Sequence, residues 1–486
     1  GHTEHEVADC DMVIYSSAIK PGNVAYEAAY KQGIPLVRRA EAGERFKVNL
    51  FAGASTGELV DGILARAGLV GWRRPYMSDR TMRARINAGE IRFKDDHLST
   101  LSAQVRSGSW GTVDVAVVEA AGIDEHGHLI PTMSVGNTPT YVQRARKIII
   151  EISPFSEELY GIHDIFIPED PPYRMPIPIY RAGDRIGKPF IDMDPNRVVG
   201  ILLSEAEDSC AVFSEPDETA RRIAAHILDF VRHETKKGRL PAGLPWQAGV
   251  GDVANAVLAG FVEDDWFQTI DIYSEVLQDS VLELIDLGKV RAASGSALTL
   301  SHKARTRFLN ELYRYRDKIV LRPVEISNAP EVIRRLGVIA INTAIEVDIY
   351  GHVNSTHVMG SQLMNGIGGS GDFLRNGALS CIVTPSTAKN GAISAIVPMV
   401  THVDHNEHSV DVIVTEYGLV DTRPLTPRQV ADQVIRTCAH PDYRDLLRDY
   451  YDRAVRTVGG HEPHLLAEAF RLHERYLSDG HMRANP

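Results

Sequence analysis

One glutamate, Glu275, stands where a carboxylate is chemically unusual. It lies within an apolar, strand-like segment, residues 271–279, about one βα unit after a glycine-rich loop at residues 249–252. An acid in such a place is either a strand-end residue in a salt bridge or a nucleophile. As a nucleophile it would attack a thioester carbonyl and form a mixed anhydride. That attack requires a desolvated carboxylate and preorganised donors for the oxyanion.

A second glycine-rich loop, residues 365–373, offers donors of this kind. Four of the six residues from Gly366 to Gly371 are glycines, so many backbone N–H groups are unobstructed by side chains. The loop lacks the Gly-Lys-Ser/Thr ending of a P-loop and the spacing of the dinucleotide fingerprint. The alternative is a flexible tight turn. Taken with Glu275, the loop indicates acyl transfer through a glutamyl intermediate.

Residues at three further places could contact a ligand, but each also has an ordinary structural explanation. Gly251 precedes a predicted helix whose N-terminal N–H groups suit an anion, although a plain βα turn explains it equally. The Asn328 amide would either contact a substrate carbonyl or cap the helix that begins at Pro330. Ser55 and Thr56 are interpreted as helix caps rather than ligand contacts.

The segment with His402, Asp404 and His408 has residue types that suit zinc or manganese. Its spacing fits no established metal motif, and His-Glu-x-x-His is absent. Because the segment lies between two apolar runs, a polar hairpin turn is the better interpretation. We therefore predict no metal.

Charge and composition narrow the classes of partner. The net charge of −12 argues against general nucleic-acid binding, although it permits a local basic pocket for a polyanionic cofactor. No apolar run approaches the roughly 20 residues that span a bilayer, and no signal peptide is visible. Four scattered cysteines are typical of free thiols in a reducing compartment. We expect a cytoplasmic protein that binds neither nucleic acid nor membranes.

Short β-branched runs alternate with amphipathic segments, which predicts an α/β protein with buried parallel strands. An internal repeat divides it further: four residue pairs share one offset of 224 positions, namely Asp124/Asp348, Gly127/Gly351, His128/His352 and Gly136/Gly360. A period of this length indicates a duplicated domain rather than a solenoid. We predict two related open-sheet domains, residues 45–212 and 213–486, the second with Glu275 and a helical C-terminal extension. A strand–loop–helix segment, residues 1–44, precedes them.

These motifs, in this order, resemble the acetyl-CoA hydrolase/transferase family of class I CoA-transferases. The resemblance covers about residues 44–470 and is closest to the succinyl-CoA:acetate or propionyl-CoA:succinate transferase branch. Residues 1–44 depart from the family and resemble a fragment of the N-terminal domain of muramate–amino acid ligases. The matching segments include Gly-Ala-Ser-Thr-Gly at 53–57, Gly-Ile-His-Asp at 161–164, Asp-Arg-Ile-Gly at 184–187, Tyr-Ser-Glu-Val-Leu-Gln-Asp at 273–279, residues 346–356 and the loop around Gly369.

The resemblance implies roles for individual residues. Glu275 would become a glutamyl-CoA thioester, Asn328 would help place the acyl group, and the Gly369 N–H would face the oxyanion. Coenzyme A, supplied as acyl-CoA, would be contacted by Val250, Gly251, Asp252, Val253, Ala254, Asn365 and Gly369.

The resemblance also implies a small carboxylic acid as acceptor (acetate, succinate or propionate), a homodimer, and no metal. Two alternatives remain open. One is an acyl-CoA hydrolase on the same scaffold, which would differ by water access. The other is a non-catalytic CoA-binding protein.

Overall fold

The computed structural model describes residues 47–55, 57–153, 159–204, 216–249 and 251–484. Several predictions therefore fall outside the described residues. They concern the segment 1–44, Thr56, the predicted domain boundary between residues 212 and 213, and Val250.

The chain forms two compact units, and each is built from separated stretches of sequence. The first contains Gly1–Ala211, Glu275–Asp279 and Ala292–Val332, and the second contains Val212–Ser274, Ser280–Arg291 and Ile333–Pro486. Glu275 and Asn328 fall within the predicted C-terminal domain, residues 213–486, but both belong to the first compact unit. The chain returns to that unit twice after residue 211, which no local sequence pattern announces.

Two parallel three-stranded sheets lie in the first unit. One has the order Val48–Ser55, Val70–Met77, Arg92–Phe93, and the other Val115–Ala120, Lys147–Ile152, Val198–Leu203. Buried β-branched residues such as Ile148 and Ile150 fit a pleated, covered face. The helices of this unit are Ile63–Arg66, Arg80–Asn87, Leu101–Arg106, Thr138–Arg144, His302–Asn310, Leu312–Tyr315 and Val324–Ser327.

A buried ion pair fixes the strand that leads to the last of these helices. Arg322, directly after the strand Ile319–Leu321, is fully buried and contacts the Asp164 carboxylate. Its Nε donates to Ser294 Oγ at 2.7 Å. Asp164 Oδ1 accepts the backbone N–H groups of residues 186 and 187 at 2.8 and 2.6 Å. The segments 161–164 and 184–187 thus meet at one buried ion pair. Its charged groups are hydrogen-bonded, as buried charges in a stable interior must be.

Six consecutive strands of an eight-stranded open sheet lie wholly in the second unit, and they are parallel except at one edge. Their order is Ile270–Tyr273, Trp246–Ala248, Ile339–Thr343, Leu379–Val383, Val412–Thr415 and Gly418–Asp421, with the last strand antiparallel. The helices are Glu218–Lys236, Asp252–Glu263, Ser370–Leu374, Pro427–Thr437, Pro441–Thr457 and Arg471–Asp479. Two more, Asp279–Asp286 and Pro330–Leu336, begin in the first unit and end in the second. The predicted α/β class, with open sheets and a helical C-terminus, is confirmed.

The residues of the internal repeat form the same turn in both units. Asp124 Oδ1 accepts the backbone N–H of His128 at 2.8 Å, and Asp348 Oδ1 accepts that of His352 at 3.0 Å. Each histidine Nδ1 also lies within 3.3 Å of its own aspartate. In each turn the glycine directly before the histidine has positive φ, +82° at Gly127 and +103° at Gly351, where glycine is favoured. The constant sequence offset therefore corresponds to a repeated local structure.

The charge of His352 should make part of the stability depend on pH. Its Nδ1 lies 3.1 Å from Asp348 Oδ2 and its Nε2 lies 2.9 Å from Glu407 Oε2. Hydrogen bonding to Asp348 and the two negative charges raise the pKa of His352 from 6.5 to about 9. A raised histidine pKa stabilises the folded state fully below about 6.5 and no longer stabilises it above about 9.

We expect His352→Gln to lower the free energy of unfolding by roughly 1–3 kcal/mol at pH 6 and by much less at pH 10. Urea unfolding at the two pH values measures the difference. Glu407→Gln, which removes one of the two acids, should reduce the pH dependence without abolishing it. An equal loss at both pH values would mean that His352 stabilises by packing alone.

Candidate active site

Glu275 lies in the connection after the strand Ile270–Tyr273, and it is half-buried. Its backbone carbonyl oxygen accepts the N–H of Ser296 at 2.7 Å and the Ser296 hydroxyl at 3.1 Å. These bonds fix the main chain from which the carboxylate projects. Glu275 therefore lies between two short strands, Ile270–Tyr273 and Val276–Leu277, and not within one continuous strand as the sequence predicted.

The structure brings two of the predicted catalytic residues together. Asn328 Nδ2 donates a hydrogen bond to Glu275 Oε2 at 3.1 Å, although the residues are 53 positions apart. Asn328 is fully buried, and its Oδ1 accepts the Ser327 hydroxyl at 2.8 Å. Because Oδ1 is engaged in this way, the amide presents its N–H group to the glutamate. The sequence predicted a substrate contact or a helix cap for Asn328; the structure gives it a contact with the candidate nucleophile.

Asn328 ends a single helical turn, Val324–Ser327, and its N–H donates to Val324 O at 2.9 Å. Four residues are too few to hold a helical conformation alone. Support comes from the Val324 N–H, which donates to Gly136 O at 2.9 Å. The Val324 side chain packs in a buried apolar cluster with Leu98, Leu101, Val105 and Trp110.

A charged contact holds the same turn from another side. Arg106 Nη1 and Nη2 donate to the two Glu325 oxygens at 2.9 and 2.8 Å, and both side chains are buried. Arg106 Nε donates to Asp170 Oδ1 at 2.7 Å. Burial raises the pKa of Glu325 against the opposing effect of Arg106. Two parallel N–H···O bonds fix direction as well as distance.

Sequence reasoning missed this pair. Glu325 gave a weak signal, as the single acid in a short segment that is otherwise apolar or small. Arg106 gave none, because it is 219 positions away and ends an unrelated helix, Leu101–Arg106.

Tyr76 is another residue near the candidate nucleophile that the sequence did not single out. Burial and, to a smaller extent, the negative charges of Glu275 and Asp95 together raise the pKa of Tyr76 to about 12. The phenol is therefore protonated at neutral pH and keeps an O–H donor. The side chain packs against the apolar cluster that holds Val324.

Four residues assigned to coenzyme A by resemblance lie where a strand passes into a helix in the second unit. Gly251 is the N-cap of the helix Asp252–Glu263, with φ +130°, and a Cβ built on it would meet no atom within 4 Å. Asp252 begins the helix, whereas Val253 and Ala254 are buried. The open backbone at Gly251 fits the predicted close approach of a ligand.

The loop with Asn365 and Gly369 is ordered by hydrogen bonds of its own. Asn365 Nδ2 donates to Ser355 O at 3.3 Å and to Gly366 O at 2.8 Å. Gly369 is the N-cap of the short helix Ser370–Leu374, and the Ser370 hydroxyl donates to Ile367 O at 3.0 Å. The glycine-rich loop, residues 365–373, is therefore a turn held by hydrogen bonds.

The histidine-rich segment has a hydrogen-bonding explanation. Asp404 Oδ2 accepts the Ser355 N–H at 2.6 Å and the Thr356 hydroxyl at 2.9 Å, and its Oδ1 lies 3.3 Å from His402 Nε2. His408 instead pairs with Glu407 at 3.1 Å. Across the described ranges, no group of three or more His, Cys, Asp or Glu side chains could hold a metal ion.

Among the described residues, no helix combines the length and the apolar character that crossing a membrane requires.

Comparison with known proteins assigns the chain to a family. The model of the acetyl-CoA hydrolase/transferase N-terminal domain matches residues 6–203, and that of the C-terminal domain matches residues 305–451. The first match begins at residue 6, so it includes most of the segment 1–44 that the sequence analysis set apart.

Curated relatives extend over nearly the whole chain. The chain is 45% identical to a succinyl-CoA:acetate CoA-transferase of Clostridium kluyveri, covering 97% of this chain and 87% of that protein. It is 42% identical to a propanoyl-CoA:succinate CoA transferase of Escherichia coli, covering 97% and 96%. It is also 42% identical to an acetyl-CoA hydrolase of Schizosaccharomyces pombe, covering 93% and 91%.

Solved structures share the fold at lower identity. RipA from Yersinia pestis is 21% identical with a TM-score of 0.65, covering 85% of this chain and 89% of that one. A 4-hydroxybutyrate CoA-transferase from Porphyromonas gingivalis is 20% identical with a TM-score of 0.58, covering 88% and 99%. The two family models and the curated relatives at 42–45% identity show that this protein is an enzyme of the acetyl-CoA hydrolase/transferase family.

Proposed function

We propose that this enzyme transfers coenzyme A between an acyl-CoA and a small carboxylate through a thioester on Glu275. The observation that carries the proposal is the 3.1 Å hydrogen bond from the buried Asn328 amide to the half-buried Glu275 carboxylate. A neutral donor can orient a carboxylate without neutralising its charge, and partial burial removes some of its hydration. Both conditions favour nucleophilic attack.

The proposed reaction begins with attack of one Glu275 oxygen on the thioester carbonyl carbon. The C–S bond breaks, and coenzyme A leaves as the thiolate, giving a mixed anhydride. The thiolate then attacks the Glu275 carbonyl carbon. The C–O bond on that carbon breaks, and the free carboxylate leaves with one oxygen that came from Glu275. An acceptor carboxylate reverses these steps and becomes the new acyl-CoA.

Asn328 would hold the attacking carboxylate in one orientation, and its own amide is held by Ser327. By family resemblance, the Gly369 N–H would stabilise the oxyanion, because a backbone donor set in advance costs no reorganisation during the reaction. The same resemblance assigns coenzyme A contacts to Asn365 and to Val250, Gly251, Asp252, Val253 and Ala254.

Transfer is proposed over hydrolysis because two relatives that align with 97% of this chain are named CoA-transferases. A hydrolase would use the same thioester and admit water in place of the acceptor, and the S. pombe relative is named for that reaction. Acetate, succinate and propionate remain the proposed acceptors. The homodimer and the cytoplasmic location also remain predictions.

Intact-protein mass after mixing with acetyl-CoA or succinyl-CoA tests the nucleophile. We expect wild type to gain the mass of coenzyme A less one water, and borohydride to reduce the thioester and remove that adduct. Glu275→Gln, which keeps the shape of the side chain, and Glu275→Ala should form no adduct.

The fate of the adduct separates the three hypotheses. Discharge by acetate or succinate, with formation of the new acyl-CoA, supports transfer. Loss in buffer alone, as fast as acyl-CoA is consumed, supports hydrolysis. An enzyme that binds coenzyme A and never forms the adduct would contradict both.

Asn328→Ala should slow adduct formation by about 10²-fold, the usual effect of losing one preorganised donor, with little change in the Kd for coenzyme A. Rapid-quench mass spectrometry measures the rate.

Asn328→Asp provides a matched control of similar shape. Two adjacent carboxylates share a proton more readily as pH falls, and the protonated aspartate can donate to Glu275. The adduct rate of Asn328→Asp should therefore rise between pH 8 and pH 6 relative to that of Asn328→Ala. Equal pH profiles for the two variants would contradict a donor role for Asn328.

A further inference from the structure

We propose that Arg106 is a positioning residue for the reaction and acts on the Glu275 carboxylate through Glu325 and Asn328. The proposal rests on the function proposed above and extends it to a residue that touches neither Glu275 nor Asn328 in the contacts described. All four residues belong to the first compact unit.

The element that presents Asn328 is too short to be rigid by itself. The turn Val324–Ser327 has four residues and cannot fix its own orientation. Glu325 is the one charged residue of this turn. The Arg106 guanidinium donates hydrogen bonds to both of its carboxylate oxygens, at 2.9 and 2.8 Å. A planar fork on a planar carboxylate restricts rotation as well as separation. The pair therefore sets the angle at which the turn lies.

Arg106 is itself held. It ends the helix Leu101–Arg106, and Leu101 and Val105 of that helix pack in the apolar cluster with Val324. Its Nε donates to Asp170 Oδ1 at 2.7 Å. The helix thus contacts the turn through both an apolar and a charged interaction, so movement of Arg106 would shift the turn.

A small shift of the turn would be enough to break the hydrogen bond between Asn328 and Glu275. The Asn328 bond to Glu275 is 3.1 Å long, and a displacement of about 0.5–1 Å would take it beyond hydrogen-bonding range. Misplacement of a reacting group by about 1 Å can cost about 10²-fold in rate. Buried ion pairs, by contrast, often add little net stability over apolar groups of similar volume. Orientation of Asn328 is the contribution that this pair is best suited to make.

A double-mutant cycle tests the proposal, with single-turnover formation of the Glu275 adduct as the readout. The proteins are wild type, Arg106→Lys, Asn328→Ala and the double variant, all measured where circular dichroism shows them folded. Lysine keeps the charge but loses the fork. We expect Arg106→Lys to slow adduct formation about 10-fold in wild type and less than 2-fold in the Asn328→Ala background, with the Kd for acyl-CoA unchanged in both.

A matched control comes from an Arg–Glu pair of the same geometry. Arg453 donates to both Glu468 oxygens at 2.9 and 2.8 Å in the second unit. Arg453→Lys should leave the adduct rate as in wild type. If Arg106→Lys does not fold, Glu325→Gln replaces it in the cycle, because it weakens the same pair of hydrogen bonds. The same slowing of adduct formation is then expected.

The outcomes are distinct. A wild type without adduct would overturn the proposed function, and this inference with it. A wild type that forms the adduct while Arg106→Lys matches its rate would overturn the positioning role alone. An equal slowing by Arg106→Lys with and without Asn328 would do the same, because it would show that Arg106 does not act through Asn328.

Discussion

The hydrogen bond from Asn328 to Glu275 is the contact on which the candidate site depends. A carboxylate is a weak nucleophile, and an adjacent ammonium or guanidinium would hold its charge in an ion pair. An amide donor gives direction at lower electrostatic cost to reactivity. Because the amide oxygen is engaged by Ser327, the N–H end is the one that reaches the glutamate. The orientation of one buried side chain therefore decides how the carboxylate is presented.

That orientation is maintained by charged contacts in the interior of the first unit. Arg322 and Asp164 fix the end of the strand Ile319–Leu321, just before the turn, and Arg106 fixes the turn itself through Glu325. Buried polar groups are costly unless they are satisfied, and a satisfied network specifies one arrangement. The family segments that contain Asp164 and residues 184–187 serve this support, since Arg322 contacts Asp164 and Asp164 accepts the backbone N–H groups of residues 186 and 187.

The sequence predicted what depends on local pattern. Alternating β-branched runs and amphipathic segments predicted the α/β sheets, and the constant offset of Asp124 and Asp348 identified residues that form the same turn in both units. Glu275 and Asn328 were each identified as chemically interesting, but their mutual contact was not, because nothing in a sequence reports which side chains meet across 53 positions. For the same reason, the contact between Arg106 and Glu325, which are 219 positions apart, was not predicted. The sequence prediction divided the chain at one boundary, so it did not predict that Glu275 belongs to the first unit.

Transfer of oxygen tests the central claim most directly. The enzyme would be turned over with acyl-CoA and an acceptor acid labelled with ¹⁸O in both carboxylate oxygens, and the peptide that contains Glu275 would then be weighed. If the Glu275 carboxylate is the nucleophile, each complete cycle leaves one acceptor oxygen on it, and the peptide gains label that Glu275→Gln does not. Turnover that forms the new acyl-CoA while this peptide stays unlabelled would contradict the account.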